Sequence, residues 1–192
     1  MTERRKQKIL DVLRHRQPGL TIVMEDIHDP HNVSAVLRSA DAVGILEVQL
    51  VYVNEKFPRL GKKSSASANK WIKRRQFKSI AECYGQLHKE GFRVYATHLG
   101  KASKSVYDLD LTKKTALVFG NEHRGVSDEA ARLADGNFQI PMTGMIQSLN
   151  VSVACAVSLY EAFRQRSIAG KYSRPQMASR VLEKLFDEWT AQ

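Results

Sequence analysis

The stretch LTIVMEDIHDPHNVSAVLRSADAVGILEVQLVYV, residues 20–53, decides how the fold is read. Leu20–Ile27 contains the run Thr21, Ile22, Val23 and Met24, the pattern of a strand buried on both faces. Val33, Val36, Leu37, Ala40 and Val43 then recur at helical spacing, with Asn32 expected as N-cap and Gly44 as terminator. Val48–Val53 is a second apolar strand. Strand, helix and strand in close succession predict parallel pairing.

Working outward, the alternation continues. Ser79 with Glu82 predicts a capping box for a helix that stops at Gly91. Strands are expected at Arg93–Thr97 and Ala116–Phe119, a short helix from about Ser127, and a short strand ending at Pro141. A long helix is expected from about Asn150 to Ala169, closed by Gly170. Helices from Arg4 to about Arg16 and from about Pro175 to Trp189 flank this core, the last with apolar Val181, Leu182, Leu185 and Phe186. The expectation is an α/β fold, an open and mostly parallel sheet with helices on both faces. Residues 1–19 form a basic N-terminal helical extension, 20–170 the core domain, and 171–192 a C-terminal helical extension. In such sheets ligands bind beyond the carboxyl ends of the strands, so the loops that follow strands are where function is expected.

The chain has 192 residues with a formal net charge of +10, a hydrophobic fraction of 43% and a charged fraction of 26%, values of a globular protein. No apolar run approaches the roughly 18–20 residues of a membrane span, and the N-terminus lacks an apolar signal region. A cytoplasmic location is expected. The charge is concentrated. Residues 1–17 carry a net +4, residues 56–78 nine basic groups and no acid, and residues 164–180 five basic groups and no acid. The remainder is net acidic. Three basic segments on an acidic body suit a polyanion wrapped over one face, with Arg4, Arg5, Lys8, Lys62, Lys63, Lys73, Arg166 and Lys171 as candidate contacts. Binding to RNA would then weaken steeply with salt.

Several site types are excluded. No GxGxxG follows the first strand. Gly120–Gly125 has the glycine spacing of a P-loop, but Val126–Ser127 stands where Lys-Ser/Thr is required. His28 and His31 flank Asp29 without a third ligand, and Cys83 and Cys155 form no CxxC pair, so no metal site or disulfide framework is expected. Three segments remain. In DIHDPHNVSAVLRSADAVGI, Arg38 lies off the apolar stripe, where a surface pair with Asp41 at i+3 would be its plain role, worth only tenths of a kcal/mol. In LVFGNEHRGVSDEA, the helix dipole accounts for Asp128 and Glu129 but not for Glu122. In IPMTGMIQSLNVSVACAVSLYEAFRQR, an apolar loop leads from Pro141 into the long helix, which suggests an apolar ligand or a partner chain.

The order N-x5-R, FGxExxG and IPMxGMxxSLNVSVAxAVxLYEAxRQR resembles the SpoU/TrmH family of RNA 2′-O-methyltransferases, members of the knotted SPOUT superfamily, over most of the chain. The resemblance implies a C-terminal deep trefoil knot, which general rules against threaded chains would not anticipate, with 20–170 as the SPOUT catalytic domain. It implies S-adenosyl-L-methionine bound at Thr97, Gly120, Ile140, Met145 and Leu149, and a homodimer whose active site forms at the interface. The catalytic set would be Arg38, Asn32, Glu122, Ser148 and Asn150. RQPGLTIVMEDIHDPHNVSAVLRSADAVGI and the basic helix before it resemble the subgroup that methylates the ribose of guanosine 18 in the tRNA D-loop.

No metal is required, because the sulfonium donor already activates its methyl group. The enzyme must place the ribose 2′-OH near that carbon and help it lose its proton. Arginine is effectively always protonated, so Arg38 is assigned to binding a phosphate and stabilising the forming alkoxide. Asn32 would orient Arg38 or the ribose, and Glu122 would hold the arginine or the cofactor's surroundings, buried near Arg38. Ser148 and Asn150 would approach the ribose, Asn150 also capping the long helix. Two alternatives stay open: action on another tRNA position or on rRNA, and a non-catalytic RNA-binding scaffold. A pure binder would have no need of the intact five-residue set.

Overall fold

The computed structural model describes residues 1–60 and 68–191. Helix α1 (Glu3–Arg14) leads into strand β1 (Leu20–Glu25), every residue of which is buried. Helix α2 (Pro30–Ala42) follows. Its N-cap is Asp29, whose carboxylate accepts from the His31 N–H at 2.8 Å, and not Asn32 as the spacing predicted. Pro30 lacks an N–H and stands at the first helical position, so the cap belongs one residue earlier. Asn32 is thereby moved inside the first turn and its side chain is free for another partner. The helix ends before Gly44, whose φ of +82° and whose closeness to the His15 carbonyl leave no room for a side chain.

Strand β2 (Glu47–Val51) is followed by a short helix α3 (Ala68–Trp71) and strand β3 (Lys73–Phe77). β3 lies in the basic segment and was not expected. Its charged residues are those of an edge strand, where Lys and Arg discourage further pairing. Most of the expected SSASAN loop, with Lys62 and Lys63, lies outside the described residues. Helix α4 (Ile80–Lys89), capped by Ser79 as expected, precedes strand β4 (Arg93–Thr97) and a two-residue strand β5 (Lys104–Ser105). Strand β6 (Thr115–Phe119), helix α5 (Asp128–Leu133), strand β7 (Gly136–Gln139), helix α6 (Val151–Ile168) and helix α7 (Ser179–Thr190) complete the chain. α7 begins at Ser179, later than Pro175.

The seven strands form one parallel sheet in the order β3-β2-β1-β6-β4-β7-β5. β1 and β6 lie centrally, with Val23 level with Gln49 on one side and Val118 on the other. Side chains alternate between faces. Ile22, Met24, Leu117 and Phe119 pack with α2 and α6, whereas Val23, Ala116 and Val118 pack with α4 and α5. A third cluster joins α1 to α7 through Ile9, Leu13, Leu185 and Trp189, and Trp71 packs against Trp189 with its ring tilted by 49° and 4.8 Å between ring centres. This cluster brings all three basic stretches of the sequence together.

One of the expected RNA contacts belongs instead to the core. Arg166 is only 2% exposed. It donates to the carbonyls of Leu111, Gly19 and Lys113 and to Gln17 Oε1, at 2.6–3.2 Å. Burial pulls its pKa down to about 10. It clamps the end of α6 to the chain entering β1 and β6, and no RNA can reach it.

Candidate active site

The loops after β1, β6 and β7 meet beyond the carboxyl end of the sheet, near the point where the strand order reverses. The turn after β1 begins at Asp26, which has a φ of +52°, an uncommon conformation for a residue with a side chain. Its carboxylate accepts from the backbone N–H groups of Val53, Asn54 and Glu55 and fixes the loop after β2. Its carbonyl accepts from Asn121 Nδ2 at 2.9 Å. Asn121 Oδ1 in turn accepts from the His123 and Arg124 N–H groups, so this one side chain folds the loop after β6 and pins it to β1. Gly120 is obligatory there: a Cβ would lie 2.1 Å from the Gly125 carbonyl oxygen.

Glu122 is held at the centre, its side chain 13% exposed. Oε1 accepts from Asn32 Nδ2 at 3.0 Å and from the Asp29 N–H at 3.1 Å, and Oε2 accepts from the His28 N–H at 3.2 Å and faces His28 Nδ1 at 3.3 Å. Partial burial disfavours the charge. The Asn32 amide and the backbone N–H groups of Glu122, Asp29 and His28 outweigh it and hold the carboxyl at about 2. Because Asn32 donates to a carboxylate, its oxygen remains free, and it accepts from Asn150 Nδ2 at 3.0 Å. Asn150 Oδ1 accepts from the N–H of Ser152, which caps α6. A continuous polar chain therefore joins Glu122, Asn32 and Asn150, one residue from each of the three motifs.

Arg38 is not part of that chain. It is exposed, Glu122 is bound by Asn32 rather than by Arg38, and Asp41 pairs with Arg16 at 2.6 Å instead of with Arg38. Arg38 thus pairs neither with Asp41 nor with Glu122, although Glu122 is largely covered as expected. Among the described residues, Arg38 has no ion pair and stands open on α2. Ser148 is exposed at the rim of an open cavity of about 430 Å³ lined by the ends of β4, β6 and β7, the loops that follow them and the start of α6.

Thr97, Gly120, Ile140 and Leu149 line that cavity. Met145 does not: it is 100% exposed on the loop that leads into α6. The cavity wall also includes Leu99, Phe138, Gln139, Met142 and Asn121, which sequence reasoning did not single out. Their positions at or just past the carboxyl ends of β4, β6 and β7 follow from the strand-end rule, which could have found them. The mixture of apolar surface and a few polar groups suits a nucleoside with an aliphatic tail. The cavity volume also falls within the range of small-molecule sites, roughly 300–1,000 Å³. Among the described residues, no group of three or more His, Cys, Asp or Glu side chains could hold a metal ion, and no helix is long and apolar enough to cross a membrane.

Of the expected RNA contacts besides Arg166, Arg4, Arg5 and Lys8 are exposed on α1. Lys73 is half-exposed on β3, 3.5 Å from Glu188, and Lys171 is half-buried beyond α6. Large apolar side chains are also uncovered, with Ile146 on the loop before α6 and Val153 and Tyr160 on α6 exposed.

The SpoU rRNA Methylase family matches residues 19–160. A tRNA (guanosine(18)-2′-O)-methyltransferase of Thermus thermophilus is 47% identical over 188 residues, covering 98% of this chain and 96% of the relative. The crystal structure of the Aquifex aeolicus TrmH/SpoU tRNA modifying enzyme superposes with a TM-score of 0.92 at 37% identity, covering 97% of this chain and 95% of that one. The SpoU methyltransferase AviRb of Streptomyces viridochromogenes, solved in complex with AdoMet, superposes with a TM-score of 0.69 at 28% identity, covering 83% and 65%. With three motifs joined by one polar chain at the mouth of a shared fold, the protein belongs to the SpoU rRNA Methylase family.

Proposed function

We propose that this chain transfers the methyl group of S-adenosyl-L-methionine to the ribose 2′-OH of guanosine 18 in the D-loop of tRNA. The observation that carries the reading is the Glu122–Asn32–Asn150 chain beside a nucleoside-sized cavity, in a protein 47% identical to a relative of that named activity.

The residues present fit the donor. Leu99, Phe138, Ile140 and Leu149 would hold its apolar parts, and Thr97, Gln139 and the backbone at Gly120 its polar edges. When bound, S-adenosylmethionine supplies a methyl group activated by its sulfonium charge for in-line displacement. The protein's part is to bind, orient and stabilise. Arg38, open to solvent, binds an RNA phosphate and stabilises the negative charge that develops on the ribose 2′ oxygen. Glu122 fixes Asn32, and Asn32 fixes Asn150, so the polar edge of the site is set before RNA arrives. Ser148 on the cavity rim contacts the ribose. Arg4, Arg5, Lys8, Lys73 and Lys171 grip tRNA, with Lys62 and Lys63 from the middle basic segment.

The same reading includes a homodimer, supported by the uncovered apolar residues Met145, Ile146, Val153 and Tyr160 on one loop and helix. It also includes the trefoil knot around the loop before α6 and a division of labour between extensions 1–19 and 171–192 and a catalytic domain over 20–170. A cytoplasmic location follows from tRNA as substrate. The test is labelled methyl transfer to a tRNA transcript and to one with the D-loop guanosine replaced. Label enters the first and not the second; equal incorporation into both overturns the assigned position.

A further inference from the structure

Arg16 is fully buried, as an arginine almost never is unless it is paired. Nη1 donates to the Ile45 carbonyl at 2.7 Å and Nη2 to Asp41 Oδ1 at 2.6 Å. Its guanidinium carbon lies 5.2 Å from the centre of the Trp189 ring, which closes the seat from α7. Trp71 backs that ring. Asp41 is one helical turn beyond Arg38 on α2, at the i+3 spacing that places two side chains side by side. Asp41 is 34% exposed, so without Arg16 its carboxylate would be free to turn to Arg38.

We propose that Arg16 is a positioning residue for methyl transfer: by binding Asp41 it withholds that carboxylate from Arg38 and leaves the Arg38 guanidinium free for the RNA phosphate. The inference rests on the reading of Arg38 given above. An aspartate beside Arg38 would act twice, pairing with the guanidinium and repelling the incoming phosphate. Arg16 removes both effects. The seat is made by α1, α2 and α7 together, so the basic extensions that grip RNA also keep the reacting arginine available.

The test uses the full-length enzyme with tRNA transcript and saturating S-adenosylmethionine, at a temperature below the melting point of each variant. Arg16→Gln is expected to lower kcat about fivefold, the size of one exposed ion pair plus one nearby like charge. The deficit shrinks as salt is raised, because exposed charge interactions are screened. Adding Asp41→Ala to Arg16→Gln restores kcat to within about twofold of wild type, and S-adenosylmethionine affinity is the same in every variant. A second route leaves Arg16 in place. Ala42 is exposed at i+4 from Arg38, and Ala42→Glu supplies an unclaimed carboxylate there. Ala42→Glu is expected to reproduce the salt-relieved loss, and Ala42→Gln to have no effect. The proposal is overturned if the double variant is as slow as Arg16→Gln, or if Ala42→Glu turns over at the wild-type rate. Arg38→Ala separates the two claims. If it retains wild-type turnover, the role of Arg38 itself falls; if it is inactive while the other variants fail as stated, only the role of Arg16 falls.

Discussion

Glu122→Gln is the sharpest perturbation of the polar chain. The carboxylate accepts from three donors at 3.0–3.2 Å, and its Oε2 also faces His28 Nδ1 at 3.3 Å. Glutamine keeps one accepting oxygen and turns an NH2 group towards at least one of those donors. A carboxyl held at about 2 against an ordinary 4.5 corresponds to about 3 kcal/mol of preference for the charged form. Allowing for the residual exposure of the side chain, the loss of stability at neutral pH should be about 2 kcal/mol. The pH dependence has a definite sign. Because the folded-state value is depressed, the contribution is complete above about 4.5 and is lost as pH falls towards 2. Urea unfolding of wild type and Glu122→Gln across that range should therefore give a difference of about 2 kcal/mol at pH 7 that narrows below pH 4.5. A difference that is absent at pH 7, or that stays constant to pH 2.5, would refute the claim that this charge organises the site.

Asn150→Asp separates capping from the polar chain. Aspartate caps α6 as well as asparagine does, so stability should change by less than about 0.5 kcal/mol, yet it cannot donate to Asn32 and methyl transfer should fall by at least about tenfold. Gly120→Ala forces a Cβ into the backbone at Gly125 and should lower stability by roughly 2–4 kcal/mol and abolish S-adenosylmethionine binding by calorimetry. Arg166→Met should lower stability by about 3 kcal/mol or more through four orphaned acceptors, visible in thermal melts. Arg4→Ala, by contrast, should leave the melt unchanged and weaken tRNA binding in a filter assay, with a shallower salt dependence.

The parallel core is legible in the sequence because β1 and β6 are buried on both faces and are therefore written as mostly apolar runs, Ile22–Met24 and Ala116–Phe119. β3 is not, since an edge strand carrying Lys73, Arg74 and Arg75 has the composition of a loop. Glu122 stands out because no local feature explains an acid there. The bond that gives it meaning joins residues 90 positions apart, and the Asn32–Asn150 bond spans 118, distances at which spacing says nothing. Asn32 itself was misplaced as a cap because its residue type suits one; Pro30 was the better signal, pointing to Asp29. Charge proved the least reliable guide. Arg16 and Arg166 lie in basic stretches that read as surface, and both are buried, because composition cannot show which guanidinium groups have backbone carbonyls or a carboxylate waiting for them. The cavity contacts came from family resemblance, and Met145 shows the limit of that transfer: the loop position matches while the side chain lies in solvent.

The most direct test of the central claim is methyl transfer to a tRNA carrying 2′-deoxyguanosine at position 18, compared with the all-ribose molecule. The base, the tRNA fold and the phosphates are kept, and only the proposed nucleophile is removed. The account predicts label in the all-ribose tRNA and none in the deoxy-substituted one, with both molecules binding alike. Equal labelling of the two would contradict it.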